Sequence, residues 1–352
     1  MTIQNILEDL IAVPSITGDG VSCRKIIKMA REILRSEHVP SKAIKVANLS
    51  ILIWGELDLH KTEWLINSHL DVVPGEKSQF NATIVGDKLF GRGSADTKSS
   101  CAIMLSNTHH WSQIALEKNI TFMLGVDEEI GGASTKEILD QLQKLEGAIF
   151  LEPSGEKMIV QAKGIMQIKI TAIGKSCHGS RPWEGNSALE LLTSGLSSFR
   201  LQHKVPRIET RDTTFNFSQL ASGIAINQIP GEGTLWCDVR WNPQDDPKQI
   251  ISNFEKIFVN CTVEVVKLES PVNCQRGSKL RESFVKSLKE NGINPISGFD
   301  HGSSDARHCT ALGIPAIVFG PRGKNLHALN EWVSLKSLVK VEKVLDHWIK
   351  NI

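Results

Sequence analysis

Apolar positions along the first 150 residues follow two different periods. Residues 3–13 and 22–37 repeat them every three to four positions, the spacing of an amphipathic helix. "ILIWG" (51–55), "EWLINS" (63–68), "ITFMLGV" (120–126) and "AIFLE" (148–152) are instead short apolar runs, as expected of buried strands. Helical patterns near 98–116 and 134–145 lie between them. This alternation predicts an α/β fold, a mostly parallel sheet covered by helices on both faces.

The texture changes after Lys163. "MQIKITAI" alternates, with Ile168, Ile170 and Ala172 on one face and Gln167, Lys169 and Thr171 on the other, which suits a sheet with one wet side. A helix (187–200), the strands "TTFNFSQLAS" and "GTLWCDVRW", a helix (247–258) and the strand "CTVEVVKLE" follow. That β-α-β-β-α-β order predicts an α+β ferredoxin-like domain. Beyond about residue 275 the first texture returns, with a helix near 280–291 and the strand "IPAIVFG" (314–320). The expected organisation is a discontinuous domain of residues 1–163 and 272–352 interrupted by an inserted domain of 164–271. A chain of 352 residues is long enough for both, at roughly 100 to 200 residues per domain.

Forty Lys and Arg against 39 Asp and Glu give a net charge of +1, so neither nucleic acid nor an anionic membrane is expected as a partner. A small-molecule substrate fits better. "MTIQNILEDL" has no basic region followed by an apolar core, and no run approaches transmembrane length, so no secretion signal or membrane span is expected. Seven scattered cysteines without a CxxC pair suit reduced thiols and a cytoplasmic location. Tyrosine is absent, which removes any tyrosyl hydroxyl from the chemistry.

The polar residues after the apolar runs carry that chemistry. "WLINS" is followed by His69 and Asp71, "ITFMLGV" by Asp127, Glu128 and Glu129, "AIFL" by Glu152, and "IPAIVFG" by a loop reaching His327. Ligands of open α/β sheets bind at the carboxyl ends of the strands, so these groups are expected to converge. Asp96 joins them from "GRGSADTKSS", a glycine-rich turn leading into a helix. Any one of these residues alone reads more readily as a turn or cap. Together, two histidines and several carboxylates suit zinc, cobalt or manganese, whereas calcium or magnesium would call for oxygen alone. Five candidate ligands exceed what one tetrahedral ion needs; two ions sharing Asp96 as a bridge would use all five, one histidine and one further carboxylate completing each. Asp71 is placed to accept the second imidazole proton of His69, and adjacent Glu128 and Glu129 offer one ligand and one proton carrier. His109 and His110 sit in a polar helical stretch and read as surface; Cys177 beside His178 has no further support as a thiol nucleophile.

"SHLDVVPG", "GRGSADTK", "VDEEIGG", "FLEPSG", "SCHGSRPWEGNSAL", "INQIPG", "DVRW", "GSSDAR" and "LHALNEWV" resemble, in order, the motifs of the co-catalytic zinc hydrolases that include aminoacylase, glutamate carboxypeptidase, acetylornithine deacetylase and succinyl-diaminopimelate desuccinylase. The resemblance spans nearly the whole chain. It implies one metal on His69 and Glu152, the other on Glu129 and His327, Asp96 bridging, Glu128 as general base and Asp71 behind His69. It further implies that the inserted domain is a lid that mediates homodimerisation and delivers His178 to the partner's site, and that Asn227, Arg240 and Ser303 bind substrate. Arg240 also reads as a strand residue facing solvent. The chain departs from the family's pattern at Thr97, where methionine is usual, at Phe90 and Trp332, where tyrosine is frequent, and at Ser303, where the desuccinylase branch has threonine.

The expected function is a metal-dependent amidohydrolase that removes a succinyl or acetyl group from a small amino acid. A dipeptidase or carboxypeptidase on the same scaffold is the alternative enzyme. A catalytically silent amino-acid-binding homologue is the alternative from another class, and it would be expected to lose a ligand or the base.

Overall fold

The computed structural model describes residues 1–352. The chain divides into two compact units, one of Met1–Gln161, Val272–Phe299 and Ser304–Ile352, the other of Ala162–Pro271 with Asp300–Ser303.

The larger unit is built on a sheet whose middle four strands, Ile120–Gly125, Trp64–His69, Gly147–Phe150 and Ala316–Val318, run parallel. Leu49–Gly55 pairs antiparallel with Ile120–Gly125 on one flank and carries Ser41–Val46 beyond it. Every residue of Trp64–His69 and Ile120–Gly125 is buried, which explains why neither alternates between apolar and polar positions. Helix Gly20–Ser36 buries Cys23, Ile26, Ile27, Ala30, Ile33 and Leu34, one stripe at helical spacing. The C-terminal helix Leu335–Asn351, absent from the elements read above, buries Leu338, Val341, Leu345, Trp348 and Ile349 in the same manner.

Two expectations change. The helix read at 98–116 is two helices, Lys98–Ser106 and Thr108–Glu117, meeting at Asn107, whose side chain donates to the Ile103 carbonyl and to Glu342. Lys98 through Leu105 are all buried, so no apolar stripe marks where the first helix ends. A second sheet of short strands was also not read from the sequence: Thr83–Val85, Lys88–Phe90, Trp332–Ser334 and Gly323–Lys324. Trp332 pairs directly with Phe90, so the loop after Phe90 lies beside the loop before Trp332.

In the smaller unit, Thr214–Ser222, Glu232–Trp241, Gly164–Ile173 and Cys261–Glu269 form an antiparallel sheet in that order, the strand order of a ferredoxin-like fold. Helices Ala188–Gln202 and Pro247–Ile257 cover one face, and Phe199, Phe254 and Phe258 pack there against Ile168, Ile170, Leu235 and Val239. No helix of the chain is long and apolar enough to cross a membrane.

Candidate active site

Register brings the first candidates together. His69 lies opposite Gly125, and Asn67 opposite Phe150, so the turns carrying Glu128, Glu129 and Glu152 leave the sheet at the level where His69 ends its strand. Beneath His69, the Thr97 hydroxyl bonds Ser68 Oγ at 2.9 Å and donates to the His69 carbonyl at 3.1 Å. This pins the start of helix Lys98–Ser106 to the strand end and brings Asp96 over His69. Lys98 is itself fully buried, its ammonium donating to the carbonyls of Leu10 and Val13 at the end of helix Ile3–Ile11.

The resulting arrangement has Asp96 at its centre. Its Oδ1 lies 3.2 Å from His69 Nε2 and its Oδ2 3.2 Å from His327 Nε2. Glu152 Oε2 is 3.6 Å from His69 Nε2, and Glu129 Oε2 is 3.2 Å from His327 Nε2. Two groups able to hold an ion follow, His69 with Asp96 and Glu152, and Asp96 with Glu129 and His327. Glu128 belongs to neither; its Oε2 stands 4.0 Å from His69 Nε2.

On the other side of His69, Nδ1 donates to the Asp71 carbonyl at 3.1 Å and lies 3.3 Å from Asp71 Oδ1. The strand stops at His69, so Asp71 reaches the ring from the following turn and not as the next residue on the same strand face. Its carboxylate also accepts from Thr17 and from the backbone N–H groups of Glu128 and Glu129.

Protonation within the cluster is mutual. Burial alone would lower the His69 imidazole, but Glu152, Asp71 and Asp96 raise it well above its ordinary value. Burial opposes the Asp96 charge, yet the hydrogen bond from His327 and the charge of the neighbouring His69 imidazole hold its carboxyl far below the usual range. Burial pushes Glu128 well up, and Glu129 and Glu152 up to about 7, the neighbouring carboxylates adding to it. His69 Nε2 and Glu129 Oε1 are buried without a hydrogen-bond partner. Buried polar atoms are rarely left so. Orphaned donors of this chemistry, imidazole nitrogen and carboxylate oxygen, fit a divalent cation.

A family model described as peptidase family M20/M25/M40 matches residues 65–351. The chain belongs to this family. It is thus a metal-dependent hydrolase of amide bonds, and its two candidate ion groups agree with that class. The LysW-lysine/LysW-ornithine hydrolase of Sulfurisphaera tokodaii is 26% identical over 333 residues, covering 90% of this chain and 93% of that protein. The succinyl-diaminopimelate desuccinylase of Pelagibacter ubique is 24% identical over 383 residues, covering 98% and 97%. Among solved structures, a tripeptidase from Staphylococcus aureus has a TM-score of 0.78 at 22% identity, over 99% of this chain and 97% of that one, a likeness in fold.

Within this M20 chain, the four residues expected to bind substrate lie in the smaller unit. His178 and Asn227 are exposed and adjacent: Cys177–His178 pairs with Gln228–Ile229, and Gly179 N–H donates to the Asn227 carbonyl. Arg240 donates to Asp238 at 2.9 Å and lines a cavity of about 260 Å³ with Lys163, Thr210, Thr214 and His301. Ser303 Oγ is buried without a partner. Lys163 was not anticipated; it is 3% exposed, and burial lowers its pKa. Three more unanticipated residues, Asp305, Arg307 and His308, surround the Glu128–Gly132 turn. Arg307 and His308 both donate to the Gly131 carbonyl, and the Asp305 carboxylate fills the space beside Gly132. Only "GSSDAR" pointed toward that region.

Proposed function

We propose that this protein is a two-metal deacylase that hydrolyses the amide of an N-acylated amino acid, with succinyl or acetyl as the acyl group. The observation that carries the reading is the pair of three-residue groups joined through Asp96, with Glu128 beside them and committed to neither. His69 and Glu152 would hold one ion, Glu129 and His327 the other, with Asp96 shared; zinc suits the donors, and cobalt or manganese are chemically compatible. Divalent ions bound there polarise a carbonyl and lower the pKa of water toward neutrality.

Glu128 acts as the proton carrier. Standing beside both groups of ligands and belonging to neither, it is free to take a proton from the attacking water and pass it to the leaving amine. Asp71 orients His69 and, through the backbone N–H groups of Glu128 and Glu129, the turn that bears the base. Arg240 and Lys163 recognise a substrate carboxylate, a role supported by two cations lining one cavity; Ser303 and Asn227 add polar contacts. His178 donates to the developing oxyanion, arriving from the other subunit of a homodimer. Exposed Leu220, Ile224 and Ile226, on and just beyond the edge strand Thr214–Ser222, support an association through the smaller unit. The seven unpaired cysteines support a reducing, cytoplasmic setting.

The relatives' names favour an acylated diamino acid, since lysine, ornithine and diaminopimelate each carry two amino groups. The test is the initial rate of hydrolysis, with zinc or cobalt supplied, on N-succinyl-diaminopimelate, N-acetylornithine, other N-acetyl amino acids and simple dipeptides. Preference for one N-acyl substrate supports the proposal. Preference for dipeptides moves the protein to the peptidase reading, and silence across the panel despite full metal loading overturns both.

A further inference from the structure

We propose that Arg92 and Glu331 are a positioning pair for metal loading, fixing Asp96 and His327 at the spacing the second ion requires. The proposal rests on the two-ion reading above.

Both side chains are buried, Arg92 at 3% and Glu331 at 1% exposure. Glu331 gathers donors from the glycine-rich turn. Its Oε2 accepts from Arg92 Nη1 at 2.7 Å and from Gly93 N–H at 3.1 Å, and its Oε1 accepts from Ala95 N–H at 2.9 Å and Asp96 N–H at 3.1 Å. The backbone of the shared residue Asp96 is thus held by a carboxylate that stands just before the strand following His327.

Arg92 completes the connection. Its Nη2 donates to the His327 carbonyl at 3.1 Å and to the Pro74 carbonyl at 3.4 Å, while Nη1 stays on Glu331. One planar fork therefore spans the turns after His69, before Asp96 and around His327. Gln79 reinforces it, donating to the carbonyls of Ala328 and Leu329 and accepting Arg92 N–H on its own carbonyl.

Stability alone is a weak reason for such a pair, because desolvating an arginine and a glutamate offsets most of their attraction. What the pair supplies is direction. His327 lies on a loop, its side chain is 52% exposed and its backbone is left-handed with φ 61°, so no regular element sets its position. The two ligands it must meet across 3.2 Å, Asp96 and Glu129, come from distant parts of the chain.

The experiment titrates cobalt(II) into the chelator-treated full-length protein and its Arg92→Lys and Glu331→Gln variants. Visible absorption and dialysed metal content are followed, together with melting of the metal-free forms. Wild type is expected to take two equivalents. Lysine keeps the charge but cannot serve Glu331 and the His327 carbonyl together, so in Arg92→Lys the second equivalent should bind about 10 to 100 times more weakly while the first is little changed. Activity should return at saturating cobalt with KM unchanged. Glu331→Gln sets an amide against backbone donors and should weaken both equivalents. Unchanged affinities in both variants, even with lowered melting, would assign the pair to folding alone and overturn the proposal. If Glu331→Gln does not fold, Arg92→Lys decides by itself. A wild type that takes fewer than two equivalents would instead overturn the two-ion reading, and this inference with it.

Discussion

Asp71 faces His69 twice, through its backbone carbonyl 3.1 Å from Nδ1 and through its carboxylate Oδ1 3.3 Å from the same nitrogen. The same carboxylate accepts the N–H groups of Glu128 and Glu129. One buried charge thus sets the tautomer of an imidazole and the orientation of the turn bearing two glutamates.

Asp71→Asn keeps the shape but removes the charge and presents an amide donor to some of those N–H groups. Turnover is expected to fall about 10 to 100-fold, with weaker metal retention. Steady-state rates and metal content after dialysis check this; unchanged rates would mean that the backbone carbonyl suffices.

On the proposed assignment, Glu128→Gln removes a proton carrier without removing a ligand. The expected loss in kcat is about 10²- to 10⁴-fold with metal content near wild type. Loss of an ion in this variant would show Glu128 to be a ligand.

The pH dependence of stability should differ with and without metal. In the metal-free fold Glu129 and Glu152 sit at about 7 against an ordinary 4.5, and His69 is raised well above 6.5. Each binds more protons folded than unfolded over those intervals, so these groups make the metal-free fold lose stability as pH rises from about 4.5 through 7 and above. Ions need the ligands deprotonated, so they bind better over the same rise. The gain in melting temperature on adding zinc should therefore be larger at about pH 8 than at about pH 5; an equal gain at both would count against the assignment.

Gly132→Ala tests the turn from behind. The residue has φ 58°, and an added Cβ would run into the Asp305 carboxylate, which Arg307 and His308 confine. The backbone alone should cost about 1–2 kcal/mol, with the collision adding to it. Denaturant unfolding and the affinity of the second cobalt equivalent should both suffer, and an alanine variant matching wild type in both would contradict the packing described.

The sequence was most informative where structure is regular. A buried strand has a direction, so His69, Asp127–Glu129 and Glu152 could be assigned to one edge of the sheet from apolar runs alone. The ferredoxin-like order was legible for a similar reason, since Ile168, Ile170 and Ala172 alternate cleanly with polar neighbours. Helix Lys98–Ser106 ran into its successor because it is buried all round. Lys88–Phe90 and Trp332–Ser334, at three residues each, were too short to leave a period, and the loops they join hold Arg92 and Glu331. A lone charged residue beside a short strand carries no sign of burial until its partner from a distant segment is in place. Lys163 and Asp305 were missed for the same reason.

The most direct test of the account is an anomalous-difference map from crystals of the zinc-loaded protein, recorded at the zinc edge. The expected result is two peaks, one beside His69 and Glu152, the other beside Glu129 and His327, with the Asp96 carboxylate between them. A single peak, or zinc held away from Asp96, would contradict it.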